Sequence, residues 1–192
     1  MGVNGVDTRS NLSHPTIHIT SHDATGKAVL LSSYTSPGKD YPGINTRHHL
    51  CYTTAEFPAD LNNDVDVKLH EEFENSGNLA IVKANGTVCR IVDMGPGNQP
   101  VMHRTQSLDY GVVLEGEVIM ELDDGKSTLM KAGDVAVQRA TNHAWKNASP
   151  TQWARMLFVL QDCLPVYIGE QRFREELGIT GSSVFPKSGN DL

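Results

Sequence analysis

The sequence predicts an all-β fold, an antiparallel barrel preceded by a hairpin and followed by a C-terminal helix. From residue 79 onward, short runs rich in β-branched and aromatic residues alternate with turns about every 8–12 residues. That spacing is typical of barrels and sandwiches and not of βαβ units. Dipeptides that favour tight turns, among them Asp124-Gly125, separate the runs.

The first part of the chain predicts an arm, a hairpin and a surface segment. Residues 1–15 are polar and lack periodicity, so we expect a flexible arm. Residues 16–33 contain two extended runs about a turn, which predicts a hairpin. Residues 58–78 are acidic and poor in large apolar side chains, which indicates a surface excursion with a helix around 68–74.

The barrel strands are predicted between residues 79 and 160. Residues 79–84 and 87–94 flank Asn85-Gly86, a dipeptide that suits a type I′ hairpin because both central positions need positive φ. Six further strands are predicted at residues 107–114, 117–122, 126–131, 134–138, 143–147 and 154–160.

Residues 166–178 predict the C-terminal helix. Apolar side chains recur near one side of a helix, Arg172 and Glu176 form an i,i+4 pair, and Gly178 is a common helix stop. We therefore expect three parts, which are a flexible arm at 1–15, a single barrel at 16–165 that includes the N-terminal strands, and a C-terminal helix and tail at 166–192.

Composition narrows the classes of partner. Hydrophobic residues make up 39% and charged residues 20% of the 192 residues, as in globular proteins that bury one core. The net charge of −7 argues against a nucleic-acid partner, which needs clustered Lys and Arg. We expect no membrane insertion, a cytoplasmic location because the N-terminus lacks signal-peptide features, and a small-molecule substrate.

Two histidines near the ends of residues 97–147 are the main site candidates. His103 and Thr105 share one face of an extended run, Asp109 lies on the next strand, and His143 begins a later one. If these strands close into one barrel, the four side chains can meet inside it. We also expect Tyr110, Gln138 and Trp145, with Thr105, to contact substrate.

Two further features concern the faces of the strands. The face of residues 107–114 opposite Asp109 carries Leu108, Tyr110, Val112 and Leu114. It must be covered by another layer of this chain or by a second subunit, and of these we expect the second, a homodimer. His48 and His49 are adjacent on a predicted strand and face opposite ways, so one of them can point inward.

The chemistry of His103, Asp109 and His143 allows two interpretations. Two neutral imidazoles and a carboxylate bind divalent iron in a facial triad, and they serve zinc or manganese equally well. Without metal, the same groups can perform general acid–base catalysis, because histidine titrates near neutral pH. The residues alone leave both open.

The spacing of these residues resembles the first motif of the cupin superfamily, G(X)5HXH(X)3–4E(X)6G. Gly97, His103 and Gly116 match it, while Thr105 replaces the second histidine and Asp109 replaces the glutamate. The resemblance implies that His103, Asp109 and His143 match three of four cupin metal ligands.

The second cupin motif, G(X)5PXG(X)2H(X)3N, is matched by Gly133, His143 and Asn147, with one residue fewer before the histidine and without the proline and glycine. When the sequences of the intervening strands are included, the resemblance covers about residues 16–162. It implies a cupin jelly-roll barrel, similar to small single-domain cupins of bacteria and of fungal polyketide pathways.

That resemblance leads to a functional hypothesis. Similar fungal members occur among tailoring enzymes of secondary metabolism, with proposed roles in decarboxylation and dehydration. We therefore expect a lyase that acts on an oxygenated, polyketide-derived small molecule. The alternatives are an iron-dependent dioxygenase and a non-catalytic metabolite-binding cupin.

Overall fold

A computed structural model describes residues 10–77 and 79–191, and the N-terminal residues 1–9 of the expected arm lie outside the described residues. No helix in those two ranges is long and apolar enough to cross a membrane. The strands of the described residues are β1 (Thr16–His22), β2 (Ala28–Thr35), β3 (Lys39–Tyr41), β4 (Thr46–Thr53), β5 (Thr87–Met94), β6 (Ser107–Glu115), β7 (Glu117–Leu122), β8 (Ser127–Lys131), β9 (Val135–Arg139), β10 (His143–Asn147), β11 (Ala154–Asp162), β12 (Val166–Ile168) and β13 (Gln171–Phe173). The α-helices are α1 (Val65–Asn75) and α2 (Gly178–Val184).

Two antiparallel sheets form the barrel. One has the order β3-β4-β5-β11-β6-β9 and the other has the order β10-β7-β8. Their inner faces share one apolar core, in which Val88, Val113 and Met156 come from the larger sheet and Val118 and Met130 from the smaller. Burying a side chain of this size stabilises the fold by about 1.5–3 kcal/mol. The all-β antiparallel prediction is therefore confirmed.

The N-terminal elements lie outside the two barrel sheets. β1 and β2 pair only with each other among the described strands, as a separate two-stranded sheet. Helix α1 packs on β4, where the Thr53 hydroxyl and His70 Nδ1 are 3.1 Å apart and both residues are buried. This helix includes the region that the sequence predicted to be helical.

The strand predicted at residues 79–84 is wrong, and so is the type I′ hairpin. Asn85 has φ of 60°, but Gly86 is not in the left-handed region. The carbonyls of Ala80 and Ile81 accept hydrogen bonds from Arg90 Nη2 at 2.7 and 3.1 Å instead of joining a strand ladder. A buried cation therefore replaces the expected strand partner.

The C-terminal prediction placed the helix one segment too early. β12 and β13 form a hairpin over most of the residues predicted to be helical, and Gly169 turns it with φ of 61°. The helix that is present, α2, begins at Gly178, where the predicted helix was to end. Leu177 and Phe185, which flank α2, are both buried against the barrel.

Gly86 offers a test of how closely the backbone at position 86 approaches Thr54. A Cβ at position 86 would lie 2.0 Å from the Thr54 carbonyl oxygen, whereas a Cβ at Gly43 would meet nothing within 4 Å. Gly86→Ala is expected to lower the free energy of unfolding by about 1–3 kcal/mol and Gly43→Ala to change it by less than about 0.5 kcal/mol, measured by urea denaturation. Equal stability of the two variants would contradict the close approach.

Candidate functional site

A cavity of about 100 Å³ lies inside the barrel. Its apolar wall includes Val92, Trp145, Phe158 and Leu160, and the flanks of α2 close another part of it through Leu177 and Phe185. One water molecule needs only about 10–15 Å³ by this kind of measure, so the cavity has room for a small organic molecule. Its polar lining is the candidate site.

His103 and His143 lie next to each other in the cavity lining. Their backbones form a two-way bridge with both N···O distances at 2.9 Å, and their ring centroids are 4.5 Å apart. Nδ1 of His103 lies 2.8 Å from the Val101 carbonyl oxygen, and Nδ1 of His143 lies 2.9 Å from that of Thr141. Because a carbonyl only accepts, each Nδ1 carries the proton and each Nε2 keeps a free lone pair.

Asp109 supplies a carboxyl group to the same cavity. It lies on the inner face of β6 with 4% of its surface exposed, and its Oδ1 has no hydrogen-bond partner. Burial raises the pKa of Asp109 to about 7, and the Ser107 hydrogen bond and the Arg90 charge offset this only in part. A large fraction of the carboxyl is therefore protonated near neutral pH.

The pKa values of the two imidazoles are lowered, whereas that of Asp109 is raised. Burial and, to a lesser extent, the neighbouring His103 lower the pKa of His143 to about 3. Burial also lowers the pKa of His103, against the raising effect of two backbone hydrogen bonds. One cavity is thus lined by a partly protonated acid and by neutral bases, which is a set that acid–base enzymes use.

Sequence reasoning missed Arg90 as a site residue. Arg90 lines the cavity from the inner face of β5, and the only signal in the sequence was its position between Val88 and Val92 on an otherwise apolar face. His48 lines the cavity as well, while its neighbour His49 lies near Asp93 with Nε2 and Oδ2 3.8 Å apart. Burial holds the pKa of His48 well below its usual value, so this ring is neutral.

The structure brings together four of the seven residues expected at the site. His103, Asp109, His143 and Trp145 line the cavity. The lining does not include Thr105, Tyr110 or Gln138. The Thr105 hydroxyl lies 2.8 Å from that of Ser107, Tyr110 lies on the outer face and is 42% exposed, and Gln138 donates to Met120 Sδ at 3.0 Å.

The residues present do not fit the expected metal site. Across residues 10–77 and 79–191, no group of three or more His, Cys, Asp and Glu side chains is arranged to hold a metal ion. The Thr105 hydroxyl lies 2.8 Å from that of Ser107, so it does not replace the histidine that the cupin motif has at this position. The Arg90 guanidinium also places a positive charge on the cavity wall, which opposes a second cation.

Comparison with known proteins identifies the family. A profile of the cupin domain matches residues 90–160. Phomopsin biosynthesis cluster protein D of Diaporthe leptostromiformis is 45% identical over 80% of this chain and 82% of its own. The cupin-domain-containing oxidoreductase virC of Hypocrea virens is 42% identical over 82% of this chain and 81% of its own. The chain belongs to the cupin family, and its relatives include fungal biosynthesis cluster proteins.

Among solved structures, the polyketide cyclase RemF of Streptomyces resistomycificus is 16% identical, with a TM-score of 0.42 and coverage of 76% of this chain and 75% of that one. A TM-score this low is too weak to support a comparison of sites.

The raised pKa of Asp109 predicts a pH-dependent stability. The folded carboxyl, with a pKa of about 7 against 3.8 unfolded, stabilises the protein fully below pH 3.8, and this contribution is lost as pH rises through 7. At about 1.4 kcal/mol per pKa unit, the loss is on the order of 4 kcal/mol at most. Urea denaturation between pH 5 and 8 is expected to show wild type losing stability relative to Asp109→Asn as pH rises.

The matched control is Asp124→Asn, in an exposed turn. It should follow the wild-type profile over the same range, because the Asp109 carboxyl is unchanged. Parallel profiles for wild type and Asp109→Asn would mean that burial does not protonate Asp109.

Proposed function

We propose that the protein is a lyase of secondary metabolism that eliminates water from an oxygenated small molecule, using side chains as acid and base. The observation that supports this is a cavity lined by both a partly protonated Asp109 and two neutral imidazoles. Environments that push the pKa values of neighbouring groups apart assign the acid and base roles.

In the proposed reaction, His103 Nε2 removes the proton next to a substrate carbonyl. Asp109 gives its proton to the β-hydroxyl group, so the C–H and C–O bonds break, a C=C bond forms and water leaves. His143 Nε2 accepts a hydrogen bond from the substrate hydroxyl and positions it. Proton transfer from the His103 imidazolium back to the Asp109 carboxylate restores the starting state.

Dehydration uses the observed groups more fully than decarboxylation does. Loss of CO2 needs a proton donor and an electron sink and gives a neutral base no task. Loss of water needs both the acid and the base that line the cavity. Decarboxylation of the same class of substrate therefore ranks second.

The names of the relatives support the metabolic setting and one alternative. Relatives named as phomopsin biosynthesis cluster proteins favour a tailoring step in secondary metabolism. Those named as cupin-domain-containing oxidoreductases favour oxidative chemistry as the alternative, for which an iron-dependent dioxygenase is the specific form. A non-catalytic metabolite-binding cupin is the third candidate.

The acid and base roles are tested on a panel of alkyl and aryl β-hydroxy ketones, with enone formation followed by absorbance. His103→Ala and Asp109→Asn are each expected to lower kcat/KM by about 100-fold or more. His18→Ala, on an exposed strand position, should retain wild-type activity. Full activity of a His143→Ala protein would contradict the roles assigned to the pair.

Oxygen and metal dependence separate the candidates in the same assay. The proposed lyase turns over under anaerobic conditions and in the presence of EDTA. Oxygen uptake that matches product formation, with iron retained through purification, would assign the dioxygenase. Saturable binding of the panel without product would assign the binding module.

We also propose that the protein is a homodimer formed through the outer face of β6 and β9. Tyr110 and Val137 are register partners on this face and are 42% and 53% exposed, and Val135 beside them is 58% exposed. β9 is also an edge strand, whose free backbone groups allow antiparallel pairing with a second copy about a two-fold axis.

Sedimentation velocity tests the dimer. Wild type is expected to sediment as a dimer at micromolar concentration and Val137→Lys as a monomer, because the charge would be buried unpaired. Leu164→Lys, at an 87% exposed position outside β6 and β9, should remain a dimer. A monomeric wild-type protein would contradict the proposal.

A further inference from the structure

We propose that Arg90 anchors the carboxylate of the substrate, so that the substrate is a monocarboxylic acid with an apolar chain or ring. This inference deepens the proposed function, since it names the substrate class of the same cavity and rests on that function for the reaction that follows binding. Three observations carry it, which are the burial of the guanidinium, its lack of a counter-charge and the composition of the remaining wall.

The Arg90 guanidinium is a buried cation without an anionic partner. Arg90 is 6% exposed, and its hydrogen bonds go from Nη2 to two carbonyl oxygens, those of Ala80 and Ile81. Its Nε is buried and has no hydrogen-bond partner. Within residues 10–77 and 79–191, no carboxylate lies within the 4.0 Å of an ion pair with Arg90.

An unpaired buried charge lowers the stability of the folded protein, so we expect a ligand or partner to supply the opposite charge. Burial lowers the pKa of Arg90 to about 10, so the group stays charged at neutral pH. Another buried arginine of the barrel illustrates the ordinary solution. Arg155 donates from Nε and Nη2 to both carboxylate oxygens of Asp93, at 2.6 and 2.8 Å.

Asp109 cannot take the corresponding role for Arg90. Strand β11 separates the two, because Arg90 on β5 pairs with Phe158 and Asp109 on β6 pairs with Leu160. Two strand spacings amount to roughly 10 Å between backbones. The carboxyl is near enough for the Arg90 charge to lower its pKa and too far to form an ion pair.

The geometry selects a carboxylate over other anions. Nη2 of Arg90 already donates to the Ala80 and Ile81 carbonyls, and Nε keeps an unpaired N–H that can donate to an oxygen of a carboxylate. Among the residues that the structure describes, Arg90 is the one Arg or Lys in the cavity lining, and the lining histidines are held neutral, so a single negative charge is balanced. A phosphate dianion would require a second cation, which the described lining does not supply.

The apolar residues of the cavity wall indicate the chemistry of the remaining part of the ligand. Val92, Phe158 and Leu160 present aliphatic and aromatic surface, and Trp145 lies beside Phe158 with ring centroids 5.4 Å apart. Such a wall gains from burying CH₂ groups or a ring. The substrate class is therefore an alkyl or aryl monocarboxylate that also carries the hydroxyl and carbonyl groups on which the acid and base act.

Isothermal titration calorimetry on the wild-type protein tests the anchor without a mutation. The probes are benzoate, 3-phenylpropanoate and hexanoate, each with its primary amide, and phenyl phosphate. At least one carboxylate is expected to bind about 10- to 100-fold more tightly than its amide. Amides that bind as tightly as the acids, tighter binding of phenyl phosphate, or no saturable binding of any acid up to millimolar concentration would each overturn the proposal.

Variants of Arg90 test whether this residue causes the preference for the acid over the amide. Arg90→Met is expected to abolish the preference for acid over amide, and Arg90→Lys to retain part of it. Both must keep the circular dichroism spectrum and bind the amides as wild type does, because Arg90 also holds the 80–81 carbonyls. A folded Arg90→Met protein that kept the full acid preference would overturn the assignment.

Asp109→Asn distinguishes failure of the anchor from failure of the proposed reaction. This variant should lose dehydration and keep the preference for acids. Acid preference without dehydration in wild type would leave the anchor standing and refute the lyase. Dehydration of neutral β-hydroxy ketones without any preference for acids would leave the lyase standing and refute the anchor.

Discussion

The antiparallel pairing of β11 with both β5 and β6 is the interaction on which the site depends. It forms the middle of the larger sheet and sets the register of both neighbours over seven or more residues. The register holds Arg90 and Asp109 on one inner face with a strand between them. The Arg90 guanidinium and the Asp109 carboxyl, which in contact would form an ion pair, are thus kept apart.

Burial of side chains inside the barrel has both structural and chemical consequences. The same burial that stabilises the apolar core raises the pKa of Asp109 to about 7 and lowers that of His143 to about 3. A core of aliphatic residues alone would be more stable. The unpartnered Asp109 Oδ1 and Arg90 Nε are therefore best understood as groups kept for function at a cost to stability.

Local pattern predicted most of the fold. The strands expected at 87–94, 117–122 and 143–147 agree with β5, β7 and β10 to the residue, because alternation and turn dipeptides act over neighbouring positions. The predictions at 79–84 and 166–178 were wrong because distant contacts decide those segments. Arg90 takes the carbonyls of the first, and pairing of β12 with β13 takes the second.

The sequence by itself determined that His103, Asp109 and His143 belong near one another, since their motif spacing and alternation direct all three inward. Tertiary structure alone decided that Thr105, Tyr110 and Gln138 stay out of the cavity, that Arg90 enters it, and that the three predicted ligands do not form a metal cluster. The physical reason is that alternation within a strand is local, whereas the register between β5 and β11 joins residues 60 or more positions apart.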